Sequence, residues 1–204
     1  MTDESAARVR VLPQRIAIIG NAGGGKSTLA RALGQILAIP VYPIDDVQWK
    51  ADWRPAPEAE VAAVHAAWLA GPRWIIDGWG GWNLIRERFR AADAIVVVDF
   101  PISIHYWWAL KRQVAVALGH NDGWPPPGCR ALPITLRLLR RMRDIHLNVR
   151  PQLLRLADDP ALRDRVVFLR SPAALRAYRQ QLLFEYYLTQ HPATNGVPHG
   201  APFN

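Results

Sequence analysis

Hydrophobic and polar positions along the chain fall into two alternating textures. Short, β-branched apolar runs occur at Arg15-Ile-Ala-Ile-Ile19 (closed by Gly20), 41–44, Trp74-Ile-Ile-Asp77, 94–99 and 165–169. Each reads as a buried strand. Pro43 lies inside the second run, and because proline lacks a ladder donor that strand is expected at a sheet edge. Between the runs, apolar residues recur at helical spacing, as at Leu29, Leu33, Ile36 and Leu37 within 26–37. Further helices are expected over an Ala-rich 57–70, a basic 83–91, a stretch reaching about 118, and 172–188. A long helix carries Leu138, Met142, Ile145, Val149 and Leu153 as its apolar stripe, with Pro151 expected to kink it. Strands alternating with helices predict an α/β domain with a mostly parallel sheet.

Residues 119–133 break this rhythm: Gly119, Gly123, Pro125, Pro126, Pro127 and Gly128 fit no regular element. From Thr189 onward the chain is rich in Pro and Gly and reads as a flexible tail, leaving 1–188 as a single domain. The chain has 204 residues, half of them hydrophobic, which is enough for a real core and excludes disordered and collagen-like chains. Cys129 is the only cysteine, so no internal disulfide forms and a reducing compartment is expected. Apolar runs fall far short of the ~20 residues of a membrane span. Residues 102–118 come closest, and Lys111 and Arg112 interrupt them. No basic n-region with an apolar h-region opens the sequence, so a soluble cytoplasmic protein is expected. The charge is +8, almost all of its excess arginine, with lysine only at 26, 50 and 111. Such a balance attracts polyanions without choosing among nucleotide, nucleic acid and membrane.

The choice comes from Gly20-Asn-Ala-Gly-Gly-Gly25-Lys26-Ser27, which fits G-x-x-x-x-G-K-[ST] between a strand and a helix. Glycines let backbone N–H groups turn toward phosphate oxygens, and the helix N-terminus adds partial positive charge. Gly20, Asn21, Ala22, Gly23, Gly24, Gly25, Lys26, Ser27 and Thr28 are the expected nucleotide-binding residues. Lys26 would reach the β- and γ-phosphates of ATP, and the Ser27 hydroxyl would ligate Mg²⁺. A sheet ordered 2-3-1-4-5 would set Asp77 beside this loop, where a carboxylate can serve Mg²⁺; Asp99 is the competing candidate. Asp45 and Asp46 follow the second strand. Asp45 is expected to face an acceptor hydroxyl, because open α/β sheets bind ligands beyond the carboxyl ends of their strands. An Asx-turn pair is the equally weighted alternative for these two aspartates.

These residues resemble the P-loop nucleoside-monophosphate-kinase group, and within it the adenylate-kinase-like topology modulation (FlaR-type) proteins. The resemblance covers about 14–180. It rests on the loop with its flanks at 18–30, Pro-Ile-Asp45 followed by Trp49-Lys-Ala-Asp-Trp53, Trp74-Ile-Ile-Asp-Gly78, and Val98-Asp-Phe-Pro101. It implies a three-layer fold: a five-stranded parallel sheet, helices on both faces, a phosphate-acceptor subdomain near 45–70 and an arginine-bearing helical lid at about 112–143. Arg112 matches the position of a lid arginine in such kinases. Adenylate kinases continue the third-strand Asp-Gly with Phe-Pro-Arg, whereas Asp77-Gly78 here leads into Trp79-Gly-Gly-Trp82, with no arginine before Arg86.

The remaining residues divide between chemistry and packing. Arg137, Arg140, Arg141 and Arg143 are candidates for further phosphate contacts or for an ordinary solvated helix face. Trp49, Trp53, Trp79 and Trp82 are expected around the acceptor cleft, and Trp68, Trp74, Trp107 and Trp108 in the core. Six histidines show no metal-ligand spacing. The leading expectation is a Mg²⁺- and ATP-dependent kinase of a small-molecule acceptor, a nucleotide among the candidates. The alternative is a nucleotide-binding regulator that uses its basic surface on nucleic acid with little or no kinase activity. The sequence names neither the acceptor nor the oligomeric state.

Overall fold

The structure, a computed structural model, describes residues 12–120 and 124–191. Its strands are β1 (Arg15–Gly20), β2 (Val41–Pro43), β3 (Trp49–Lys50), β4 (Arg54–Pro55), β5 (Trp74–Asp77), β6 (Ala94–Val98) and β7 (Val166–Leu169). Its helices are α1 (Lys26–Leu37), α2 (Ile44–Gln48), α3 (Glu58–Ala70), α4 (Trp82–Ala91), α5 (Ile102–Ala117), α6 (Thr135–Asp144), α7 (Arg150–Ala157) and α8 (Pro172–Gln190).

Five strands form one parallel sheet in the order β2-β5-β1-β6-β7, which is 2-3-1-4-5 when only its own strands are counted. The expected α/β architecture holds, and Pro43 lies on the edge strand β2 as its missing donor requires. Alternate residues of each central strand feed opposite layers. Ile16, Ile18, Ile75, Val96 and Val98 pack under α1 and α8 with Leu29, Leu33 and Leu182. Ala17, Ile19, Trp74, Ile76, Ile95 and Val97 pack under α4 and α7 with Ile85, Phe89 and Leu153. Both faces are covered, which is why these strands read as continuous apolar runs.

Three local features differ from the sequence reading. Residues after β2 form the short helix α2 and the antiparallel β3–β4 hairpin, too brief for periodicity to reveal. The long helix is interrupted by a π-helical stretch, Ile145–Val149, upstream of Pro151. Proline instead takes a first-turn position of α7, where its missing N–H costs nothing. Trp107, expected in the core, is 62% exposed, while Trp74 is fully buried and Trp68 and Trp108 pack against core clusters. The expected tail lies outside the described residues from 192 on, and Thr189 and Gln190 complete α8. Among the described residues, no helix is long and apolar enough to cross a membrane.

Candidate active site

The loop between β1 and α1 is shaped by close packing against its neighbours. A side chain on Gly20 would collide with the Val98 carbonyl, and one on Gly23, whose φ is 68°, with the His105 carbonyl. These approaches demand glycine. The loop is fastened at both flanks. Asn21, 7% exposed, accepts from the Ala22 N–H and donates through Nδ2 to the Met142 carbonyl of α6 at 2.8 Å. The buried His105 of α5 places Nδ1 3.0 Å from the Ala22 carbonyl. Burial, with Lys26 adding to it, pushes the His105 pKa down to about 4, so the ring is neutral and Nδ1–H donates. Sequence reading saw His105 only as one histidine without metal spacing, because its partner is a backbone carbonyl 83 residues away.

Lys26 Nζ donates to the Asn21 carbonyl at 2.9 Å, folded back across the loop it belongs to. Pairing of β1 with β5 sets Ile18 opposite Asp77, and the Ser27 hydroxyl donates to Asp77 Oδ2 at 2.5 Å. Asp77 is 3% exposed, and its Oδ1 has no hydrogen-bond partner. A hydroxyl and a carboxylate with a free buried oxygen form a hard-oxygen donor set that fits Mg²⁺. Asp99 sits differently: Arg150 Nε donates to its Oδ1 at 2.5 Å and Nη2 to its Oδ2 at 2.8 Å. That bidentate pair occupies both oxygens and ties α7 to the end of β6.

Asp45, in the first turn of α2, is the point where the expected catalytic residues meet electrostatically. Burial raises its pKa above the ordinary carboxylate value, while Lys26 lowers it, Asp77 raises it and Arg112 lowers it. Asp46 is more exposed, and burial followed by Asp77 raises its pKa too. Arg112, on α5, stacks its guanidinium 4.0 Å from the Trp124 ring centroid. Burial pulls its pKa down to about 10 against the favourable charge of Asp45. Its Nε and Nη2 are buried without a hydrogen-bond partner, two donors free for an incoming anion. Lys26, Asp45, Asp77 and Arg112 are thus brought together, and Asp99 is not among them.

The β3–β4 hairpin docks on the segment that holds Gly128 and Arg130. Asp52 N–H donates to the Gly128 carbonyl at 3.1 Å and Trp53 Nε1 to the Arg130 carbonyl at 2.8 Å. The Trp53 ring lies 5.1 Å from that of Trp124 and 5.8 Å from that of Trp49. Asp52 and Trp53 both have φ near +60°, a conformation that aspartate tolerates and that a bulky tryptophan adopts only when its surroundings enforce it. Trp79 and Trp82 pair edge-on across the turn after β5. Of the α6 arginines, Arg137, Arg140 and Arg143 are exposed, and Arg141 pairs with Asp144 at 2.6 Å. A cavity of about 40 Å³ at the ends of β1 and β6, lined in part by Asn21, Asp99, His105 and Arg150, is far too small for a nucleotide. Arg88 escaped the sequence reading. It sits in a helix read as merely basic, yet it is fully buried immediately behind Asp77.

No protein-family model matches the chain, and no curated protein matches it in sequence. Among solved structures it is similar to a shikimate kinase from Acinetobacter baumannii in complex with shikimate, with a TM-score of 0.49 and 16% identity. That match covers 89% of this chain and 96% of the other. It is also similar to a gluconokinase from Sinorhizobium meliloti 1021, with a TM-score of 0.48 and 15% identity over 88% of this chain and 95% of that one.

Proposed function

We propose that the chain is a cytoplasmic, Mg²⁺-dependent kinase of the adenylate-kinase-like topology modulation type. It moves the γ-phosphoryl group of ATP to a hydroxyl of a small acceptor, nucleotides among the candidates. The observation that carries this reading is the convergence of Lys26, Arg112 and Asp77 on the half-buried Asp45 carboxyl beside the phosphate loop. Residues 20–28 cradle the phosphates with backbone N–H groups at the start of α1. Lys26 exchanges its internal bond to Asn21 for phosphate oxygens, and the free Arg112 donors reach the transferring group from the lid, about 112–143. Positive charge already in place there stabilises developing negative charge without reorganisation. Asp45, at the edge of an acceptor subdomain near 45–70, orients the acceptor hydroxyl and takes its proton. Its raised pKa makes it a better base than an exposed aspartate. Ser27 and Asp77 would hold Mg²⁺, which when bound screens phosphate charge.

The test is phosphoryl transfer from γ-labelled ATP to a panel of nucleoside monophosphates and small hydroxy metabolites, with and without Mg²⁺. Transfer that Asp45→Asn removes, with ATP affinity kept, is the expected result. ATP binding without transfer to any acceptor, alongside salt-sensitive binding to nucleic acid, would favour the regulator instead.

A further inference from the structure

Periodicity places Leu84, Ile85, Arg88 and Phe89 on the buried face of α4, with Arg86 and Arg90 exposed. A guanidinium therefore stands where an apolar side chain would close the core, and Arg88 has no exposed surface. Burying a charge without a partner is costly, so its neighbours explain its presence. Its Nη2 donates to the carbonyls of Gly78 and Trp79, the two residues that directly follow Asp77. The Trp79 bond is 2.9 Å. Burial lowers the Arg88 pKa to about 10, and the charge opposing that shift is Asp77. Nε and Nη1 of Arg88 and Oδ1 of Asp77 are buried with no hydrogen-bond partner. His65 of α3, also fully buried, adds no competing charge, because burial and then Arg88 push its pKa down to about 4. The segment being held needs holding: Gly78, Gly80 and Gly81 all have positive φ, so it has little stiffness of its own.

We propose that Arg88 is a positioning residue for Asp77. It pins the Gly78–Trp79 backbone and supplies the buried counter-charge that keeps the Asp77 carboxylate aimed at the Ser27 hydroxyl, so metal-linked nucleotide binding depends on it. This inference rests on the reading of Asp77 as the carboxylate on the metal side. Packing alone would predict a different pattern, in which Arg88 supports the core and nothing at the phosphate loop responds to its charge.

The experiment is calorimetric titration of ADP into the wild type, Arg88→Lys, Arg88→Gln and Asp77→Asn, each in Mg²⁺ and in EDTA, with melting temperatures recorded. Lysine keeps the charge; glutamine keeps an N–H for the carbonyls and loses the charge. The expected result is ADP affinity in EDTA close to wild type in both Arg88 variants. The Mg²⁺-linked gain should fall about 10–100-fold in Arg88→Gln, as for Asp77→Asn, and be largely kept by Arg88→Lys. An unaltered gain in a folded Arg88→Gln, or equal loss in both Arg88 variants, would overturn the proposal. Should Arg88→Gln not fold, Arg88→Lys decides alone: a retained gain supports the proposal, and a loss as deep as that of Asp77→Asn refutes it. A wild type that shows no Mg²⁺-linked gain would remove the metal-side reading of Asp77 itself, and the role of Arg88 with it.

Discussion

Replacing Asp99 by Asn tests whether the aspartates at the ends of the two strands that flank β1 have different roles. Asp99 is bound through both oxygens by Arg150; the Asp99 side chain is 7% exposed and that of Arg150 38%. Breaking a fully buried pair costs about 3–5 kcal/mol, and breaking an exposed one about 0.2–1 kcal/mol. With more than a third of Arg150 in solvent, and one amide oxygen still able to accept, the loss should be about 1–2 kcal/mol. In a domain of this size, 1 kcal/mol moves the melting temperature by about 2–4 °C, so Asp99→Asn should melt about 2–8 °C below wild type. Its Mg²⁺-dependent ATP turnover at 25 °C should stay near wild type, because both Asp99 oxygens are taken by Arg150. Asp77→Asn should instead lose about 10²–10³-fold in that turnover. It also leaves Arg88 without its counter-charge and should melt early, so Mg²⁺ dependence, not thermal stability, distinguishes the two. Differential scanning calorimetry and a Mg²⁺ titration of ATP turnover measure both quantities. If the Asp99 variant proved the more Mg²⁺-defective of the two, the assignment of Asp77 to the metal would be wrong.

Lys26→Ala should lose nucleotide affinity in calorimetric titration while its melting temperature stays near wild type, because Nζ makes one bond, to the carbonyl of its own loop. Unchanged affinity would refute the phosphate-loop reading. On the proposed function, Arg112→Ala should slow phosphoryl transfer by about 10²–10³-fold with little change in ATP affinity, since Nε and Nη2 are buried with no hydrogen-bond partner. Normal turnover would reduce Arg112 to a partner of Trp124. The folded chain holds His65 and His105 neutral down to about pH 4, whereas the unfolded chain protonates them near 6.5. The unfolded state therefore binds more protons in that window, and the stability these two provide is complete above pH 6.5 and lost as pH falls toward 4. Urea unfolding should show a contribution of up to about 2.7 kcal/mol per pH unit from the pair, reduced by half in His65→Phe; an unchanged slope in that variant would contradict the burial argument.

The sequence by itself determined the sheet and the phosphate loop, because both are written in short-range terms. A β-branched run such as Ile16–Ile19 is buried on both faces in any parallel sheet, and Gly-x-x-x-x-Gly-Lys-Ser between a strand and a helix specifies its own backbone. The edge position of β2 was legible for the same reason, from one proline. What only the tertiary structure decided are relations between distant segments. Two aspartates, each closing an apolar run, look alike in sequence. Parallel pairing to β1 gives Asp77 to Ser27, while α7 folds back and gives Asp99 to Arg150. His105 and Asn21 grip backbone carbonyls, which leave no mark in the pattern of side chains. Arg88 is the clearest case: its helix reads as basic, and only the packing of α4 under the sheet turns one of those charges inward onto the segment that follows Asp77. Local propensity sets where elements begin and end; which charge meets which depends on how the layers close.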